Sequence, residues 1–397
     1  MNLYNRIDMG IFWLIVGVIL FIGLVVIHEF GHFIMARRNG VEIEEFGIFF
    51  PPRLFKHKTK AGWDFTINAL PLGGFVKLKG EHDSDTAKGS FGAASLMAKT
   101  KIMIAGVAMN LFTALFLLTF LAIVGLPKLV DNQFTVKSDT TLVSSKVLIA
   151  SVEAGSPAQK AGLKAEDQIT ALRLPGYSPV PINSAKNLPN VTKDFAGKNV
   201  DVYYVRDGSE AQTKLTLLTK AAVEASQKTS NPKGYLGIIP SELIIQRSTW
   251  SAPIVAVGVS AQVTALTFQG LGHAVSGLGS LIAGALTGNH TAREHGQTAA
   301  SAQVSGPVGI FVILKNGSLL GYQYMLLIIA IISLTLAIMN VLPIPALDGG
   351  RLWLTLITRA MKRPLSQRKE EIINATGFLV LISLIVLVTI VDVKRFF

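Results

Sequence analysis

His28-Glu29-Phe30-Gly31-His32 brings together the residue types of this chain best suited to chemistry. On a helix, residues four apart share a face about one turn apart. Both imidazoles can therefore address one zinc ion while Glu29, beside the first, holds a water. Zinc lowers the pKa of such a water toward about 7, and a carboxylate takes its proton to generate a nucleophile for a peptide carbonyl. The pattern alone is not decisive, but its setting adds weight. It sits at the end of an apolar run covering residues 11 to about 34, where an ionisable residue costs about 2.5–3.5 kcal/mol and marks function. The competing reading is a helix end emerging among lipid headgroups with incidental histidines.

A catalytic zinc needs a third protein ligand and an open fourth position. Asp348 is the candidate, at the end of Asn340-Val341-Leu342-Pro343-Ile344-Pro345-Ala346-Leu347-Asp348-Gly349-Gly350. Two prolines there break a helix and two glycines permit a tight turn. Broken backbone at membrane depth that ends in a carboxylate suits a buried metal site. The alternative is that Asp348 only caps a helix beginning near Arg351. The other histidines, His57, His82, His273, His290 and His295, form no pair at ligand spacing on a convincing helix. His290 and His295, five apart in a polar stretch, read as loop residues.

The elements that must position these groups belong to a membrane protein. Half of the 397 residues are hydrophobic and only 16% are charged. Four runs approach the roughly 20 apolar residues needed to cross a hydrocarbon core: 11 to about 34, 102–126, 323–342 and 374–391. The net charge of +12 is not gathered into a stripe with interleaved aromatics, so nucleic acid is not expected as a partner. The basic residues lie instead beside the spans, from Arg37 to Lys101 and from Arg359 to Lys369. The positive-inside rule makes those two loops cytoplasmic and places the N-terminus, the 127–322 region and the C-terminus outside. The chain has no cysteine, which excludes disulfides and thiolate metal sites.

Between the first two spans, Ile43–Phe50, Trp63–Asn68 and Phe75–Lys79 are β-prone runs punctuated by Pro51-Pro52, Pro71 and Gly73-Gly74. They predict a small hairpin-rich element that dips toward the membrane. Residues 130–240 turn to soluble composition with alternating strands, enough for a domain with its own core. Residues 251–288 are rich in Ala, Gly, Ser and Val with almost no charge, which suits either a fifth span or a surface-lying helix. The metal residues decide between the two: His28 to His32 and Asp348 each follow an apolar run, so both runs must exit on the same side. An even number of crossings therefore separates their starts, and residues 251–288 are expected to stay on the outer face.

These residues together resemble the site-2 protease family of intramembrane zinc proteases, most closely its bacterial RseP-type group. His28 through His32 is similar to the family's first-span motif, and Asn340 through Gly349 to its Asn-x-x-Pro-x-Pro-x-Leu-Asp-Gly motif. Ser305-Gly306-Pro307-Val308-Gly309-Ile310 also looks like the segment before the family's third span. Ala69 to Val76 is similar to its membrane-associated β-hairpin, whose edge pairs with an extended substrate by strand addition; this implies Gly73, Gly74 and Phe75 as substrate contacts. Val152 to Leu163 with Asp167-Gln168-Ile169 resembles a PDZ domain. Gly234-Tyr235-Leu236-Gly237-Ile238 looks like its carboxylate-binding loop, with Leu236, Gly237 and Ile238 as binders, although a steric filter for bulky ectodomains fits the same domain equally. Two departures stand out: Ala105-Gly106-Val107 where the family often has Ala-Gly-Pro, close to Asn110, and Glu166 where PDZ sequences commonly place Gly.

The expected fold is a four-span α-helical membrane protein with an inserted extracytoplasmic PDZ-like α+β domain and a membrane-associated β-hairpin element. Residues 1–126 carry the first two spans and the hairpin, 127–245 the PDZ-like domain, 246–320 an outer-face amphipathic or partly embedded segment, and 321–397 the last two spans. The resemblance implies one zinc ion on His28, His32 and Asp348, Glu29 as general base, and Asn340 on the substrate backbone or developing oxyanion. It further implies single-span membrane substrates already shortened outside, and a place in the bacterial inner membrane. The alternative is a catalytically inactive membrane chaperone or scaffold of the same fold.

Overall fold

The computed structural model describes residues 3–82, 85–206, 208–227, 232–291, 306–362 and 366–396. Contacts divide the chain into two compact units, one centred on residues 121–252 and one formed by residues 11–120 and 253–397. The second carries the candidate chemistry.

Helix α1 (Leu3–Arg38) is apolar through most of its length and ends on Arg37 and Arg38, whose charge suits a helix C-terminus. Strands β1 (Ile43–Lys58) and β2 (Asp64–Leu78) follow, then helix α2 (Leu96–Val124). The prolines do not end the two strands as expected. β1 runs through Pro51-Pro52 and β2 through Pro71, and the register skips there. Each long strand bends at its proline and changes partner, which proline tolerates because no ladder N–H is needed at such a point. The first half of β1 pairs on one side with Asp64–Ile67 and on the other with Gly74–Leu78, while Arg53–Lys58 pairs with Asp64–Asn68. The result is a four-segment antiparallel sheet with Gly74–Leu78 on an edge. The Arg53–Lys58 segment, dense in charge, was not among the expected strands.

In the unit centred on residues 121–252, β3 (Leu126–Pro127), β4 (Thr141–Val152), α3 (Pro157–Lys160), β5 (Gln168–Arg173), β6 (Val180–Pro181), α4 (Leu188–Asp194), β7 (Asn199–Arg206), β8 (Ser209–Thr216), α5 (Lys220–Ser226) and β9 (Ile238–Arg247) build one antiparallel sheet. The order is β3-β9-β4-β5-β7-β8, with β6 beside β5. Val147, Ile149, Ile169, Leu172 and Val202 form its fully buried core, each contributing about 1.5–3 kcal/mol by leaving water. Ser156 caps α3 by accepting from the Gln159 N–H, with Pro157 at the first helical position. Asp167 is buried and takes a two-pronged hydrogen bond from Arg206, at 2.7 and 2.6 Å.

Further helices among the described residues include α6 (Ala252–Thr287), α7 (Pro307–Leu319), α8 (Tyr322–Val341), α9 (Asp348–Ala360) and α10 (Gln367–Phe396). Among the described residues five helices are long and apolar enough to cross a membrane, α6 among them over Ala252–Leu281, against the four read from the sequence. The ambiguous 251–288 stretch is thus one continuous helix of 36 residues, about 54 Å long. α1 and α8 run parallel: Trp13 meets Tyr322 with ring centroids 6.0 Å apart, and further along Leu24 packs with Met325 and Ile329. α2 runs against α1, since Asn110 reaches His28 and Ile102 reaches His32.

Candidate metal centre

His28 and His32 lie on successive turns of α1, and both rings are buried. Their Nε2 atoms are 3.2 Å apart. Asp348 Oδ2 stands 2.9 Å from His28 Nε2 and 3.1 Å from His32 Nε2. Three donor atoms from positions 28, 32 and 348 thus converge on one point. Two ligands each about 2.0 Å from a tetrahedral zinc stand about 3.3 Å apart, so the spacing of the three donors fits that ion.

The helix-break expectation for Asp348 holds in detail. α8 ends at Val341 and the chain passes Pro343 and Pro345 in non-helical form before α9 begins at Asp348 itself. The cap position falls on Leu347, and no side-chain cap bond is made. The Asp348 carboxylate faces the histidines instead of capping the helix. Burial acts to raise its pKa, and the hydrogen bonds to His28 and His32 outweigh that and hold it well below the usual carboxylate range. Gly349 and Gly350 are required by close approach: a Cβ on Gly349 would lie 2.4 Å from the carbonyl oxygens of Val341 and Leu342, and one on Gly350 would lie 2.0 Å from that of Ile344.

Glu29 lines the same small cavity as Val76, and its Cγ lies 3.5 Å from where a Cβ on Gly74 would stand. The edge of β2 therefore passes directly beside the proposed base. Phe75 stacks on Phe50 with centroids 6.2 Å apart. A cavity of about 110 Å³ joins Glu29, His32, Val76, Asp348 and Arg351. A second, of about 420 Å³, reaches Asp348 past Asn374 and Phe378. Asn340 lies in the last turn of α8, half-buried and outside the donor cluster.

The sequence reading missed the contribution of α2. The carbonyl of Ile102 lies 2.7 Å from His32 Nδ1, and the side-chain amide of Asn110 is 3.1 Å from His28 Nδ1. Gly106, midway between them, lies against both rings. A backbone carbonyl leaves no mark in a sequence. An Asn in the middle of an apolar helix does, because a polar side chain at that depth calls for a partner.

The other expected residues lie elsewhere. Leu236 and Ile238 turn their side chains into the core around β4 and β9. The Gly237 N–H donates to the carbonyl of Gly234 at 3.1 Å. β9 pairs along its length with β4, while β3 pairs only with Gln246 and Ile245. His57 is in β1, His273 is on α6, and His82 approaches Glu370 at 3.8 Å. His290 is helical rather than in a loop, and His295 lies outside the described residues.

A sequence model described as Peptidase family M50 matches residues 16–384. The chain is 30% identical over 395 residues to a candidate zinc metalloprotease of Clostridium acetobutylicum, an alignment that covers 97% of this chain and 98% of the relative. It is 26% identical over 479 residues to the regulator of sigma-E protease RseP of Salmonella typhimurium, covering 98% and 100%. To the zinc metalloprotease RasP of Shouchella clausii it is 25% identical over 464 residues, covering 97% and 99%.

Proposed function

The chain belongs to peptidase family M50, and from that premise we propose that it is an intramembrane zinc endopeptidase that cleaves transmembrane segments of single-span membrane proteins. The observation that carries this reading is the convergence of His28, His32 and Asp348 on one point beside Glu29. It is a site-2-type metalloprotease, with its ligands near the end of an apolar helix rather than in a water-facing cleft.

Zinc, when bound by His28, His32 and Asp348, supplies Lewis acidity toward a substrate carbonyl and toward water. Glu29 accepts the proton of the attacking water and delivers it to the departing amine nitrogen. The β2 edge holds the substrate extended, offering main-chain pairing at Gly73, Gly74 and Phe75. The Asn340 amide donates to the substrate backbone or the developing oxyanion. A transmembrane helix must unwind to be cut, because its peptide bonds are shielded by their own hydrogen bonds, and an edge strand rewards that unwinding with new ones.

The substrates in this reading are already shortened outside by another protease, as in the release of a membrane-tethered regulator or the clearance of remnant signal peptides. The residue 127–245 domain is PDZ-like and extracytoplasmic, with both termini on the same side. The strand neighbour that most of β9 lacks among the described residues leaves room for a peptide there; whether it binds a terminus or screens bulky ectodomains, it acts before the substrate reaches zinc. Parallel α1 and α8 support an even number of crossings between them, so residues 246–320 return to the outer face. The enzyme is placed in the bacterial inner membrane.

The rival is an inactive chaperone or scaffold of the same fold. Co-expression of a tagged single-span substrate with the wild type and with Glu29→Gln separates them. Cleavage by the wild type alone is expected, with zinc retained by both. Cleavage by neither, or by both, overturns the mechanism.

A further inference from the structure

For an imidazole to offer Nε2 to a metal, its hydrogen must sit on Nδ1, so whatever faces Nδ1 must accept. At His32 this is met by the Ile102 carbonyl, 2.7 Å away, which can only accept. At His28 the facing group is the Asn110 amide. Its nitrogen is the end nearest Nδ1, at 3.1 Å, and its oxygen is buried without a hydrogen-bond partner among the described residues. The two ends of an amide exchange on a half-turn with no change of shape. With nitrogen toward the ring, His28 would carry its hydrogen on Nε2, the atom 2.9 Å from Asp348 Oδ2, and could not bind a metal through it. With oxygen toward the ring, Nδ1–H is satisfied and Nε2 is free.

We propose that Asn110 is a positioning residue of the metal centre: its Oδ1 accepts the Nδ1–H of His28 and fixes the tautomer that turns the Nε2 lone pair toward His32 and Asp348. Ile102, Gly106 and Asn110 are successive fourth residues on one face of α2, so a single helix stripe sets both rings. The carbonyl holds one, the amide holds the other, and Gly106 leaves room between. Asn110 is 1% exposed, and its backbone carbonyl accepts from Ser333 Oγ at 2.8 Å, which anchors the turn that carries it. A lone amide within an apolar helix thereby acquires a reason to be there.

The inference rests on the zinc reading, and the test distinguishes the two. The full-length protein in detergent is prepared as wild type and as Asn110→Ala, Asn110→Leu and Asn110→Asp. Zinc per chain and the rate of zinc loss to excess 1,10-phenanthroline are measured, together with the unfolding temperature of the zinc-free forms. Loss of an outer-shell partner weakens metal binding by about 10–100-fold. That loss is expected for Ala and for the similarly sized Leu, with zinc-free unfolding temperatures close to wild type. Asp keeps an acceptor and is expected to restore zinc retention. Wild-type retention in Ala or Leu overturns the inference, as does an Asp variant that retains zinc no better than Leu. A wild type that binds no zinc overturns the metalloprotease reading itself.

Discussion

Gly106 and His32 approach so closely that a Cβ on the glycine would stand 2.5 Å from Nε2 of the histidine, and 2.6 Å from Nε2 of His28. Gly106 lies within the regular helix α2, so the requirement is for space rather than for unusual backbone angles. The nearest atoms are the two proposed ligand nitrogens, which have no room to retreat without leaving the donor cluster. Gly106→Ala is expected to lose zinc and to lower peptide hydrolysis by about a hundredfold or more, the usual cost of displacing reacting groups by an ångström. Zinc analysis and a cleavage assay on the same preparation check this; an alanine variant normal in both would show that the rings have another resting position.

Val76 tests the link between the strand edge and the base. Val76 lines the small cavity that holds Glu29, and proline removes its backbone N–H while remaining tolerable on an edge strand. Val76→Pro is expected to keep its zinc and to lose about tenfold or more in turnover, because the strand edge beside the base loses a main-chain donor. Val76→Ala keeps the N–H and is expected to stay within about threefold of wild type. Equal effects from the two substitutions would mean that the side chain, not the N–H, matters.

The three residues that converge, proposed as metal ligands, were legible in the sequence because each leaves a local mark. His28 and His32 stand four apart on an apolar helix, and Asp348 closes a proline-broken segment. Of the groups around the two rings, Asn110 leaves a mark, while Ile102 and Gly106 were not legible, since one meets His32 through its carbonyl and the other through an absent side chain. The strands were half legible. Alternation found Ile43–Phe50 and Trp63–Asn68, but the prolines read as ends when they are bends, and Arg53–Lys58 carries too many charges to look like a sheet segment. α6 defeated composition altogether, because small apolar residues suit a span and a long packed helix equally.

Glu166 occupies a backbone conformation with φ 71°, in the left-handed region that favours glycine. A side chain in that left-handed region costs about 1–2 kcal/mol, and glycine gives back part of the gain through its greater freedom in the unfolded chain. Glu166→Gly is therefore expected to stabilise the domain by about 1 kcal/mol. Glu166→Ala, which keeps the strain, is expected to change it little. Thermal unfolding of the full chain reads both. A glycine variant less stable than wild type would show that the glutamate side chain makes a contribution larger than the strain it imposes.

Asp139 makes a prediction in pH. It accepts from the backbone N–H groups of Thr249 and Ser251 at 2.8 and 3.0 Å and from both hydroxyls, just ahead of the start of α6. Burial pushes its pKa up, and the donors at Ser251 and Thr249 more than offset this, bringing it down to about 2. An unfolded aspartate titrates near about 3.9, so between these values the unfolded chain takes up a proton that the native chain refuses. The stabilisation is thus complete above about pH 5 and disappears as pH falls through about 2. Asp139→Asn is expected to unfold at a lower temperature than wild type at neutral pH. The gap between the two chains isolates this carboxylate, and it should narrow from about pH 4 downward. A gap that stays constant or widens in acid would show that Asp139 is not held ionised by Thr249 and Ser251.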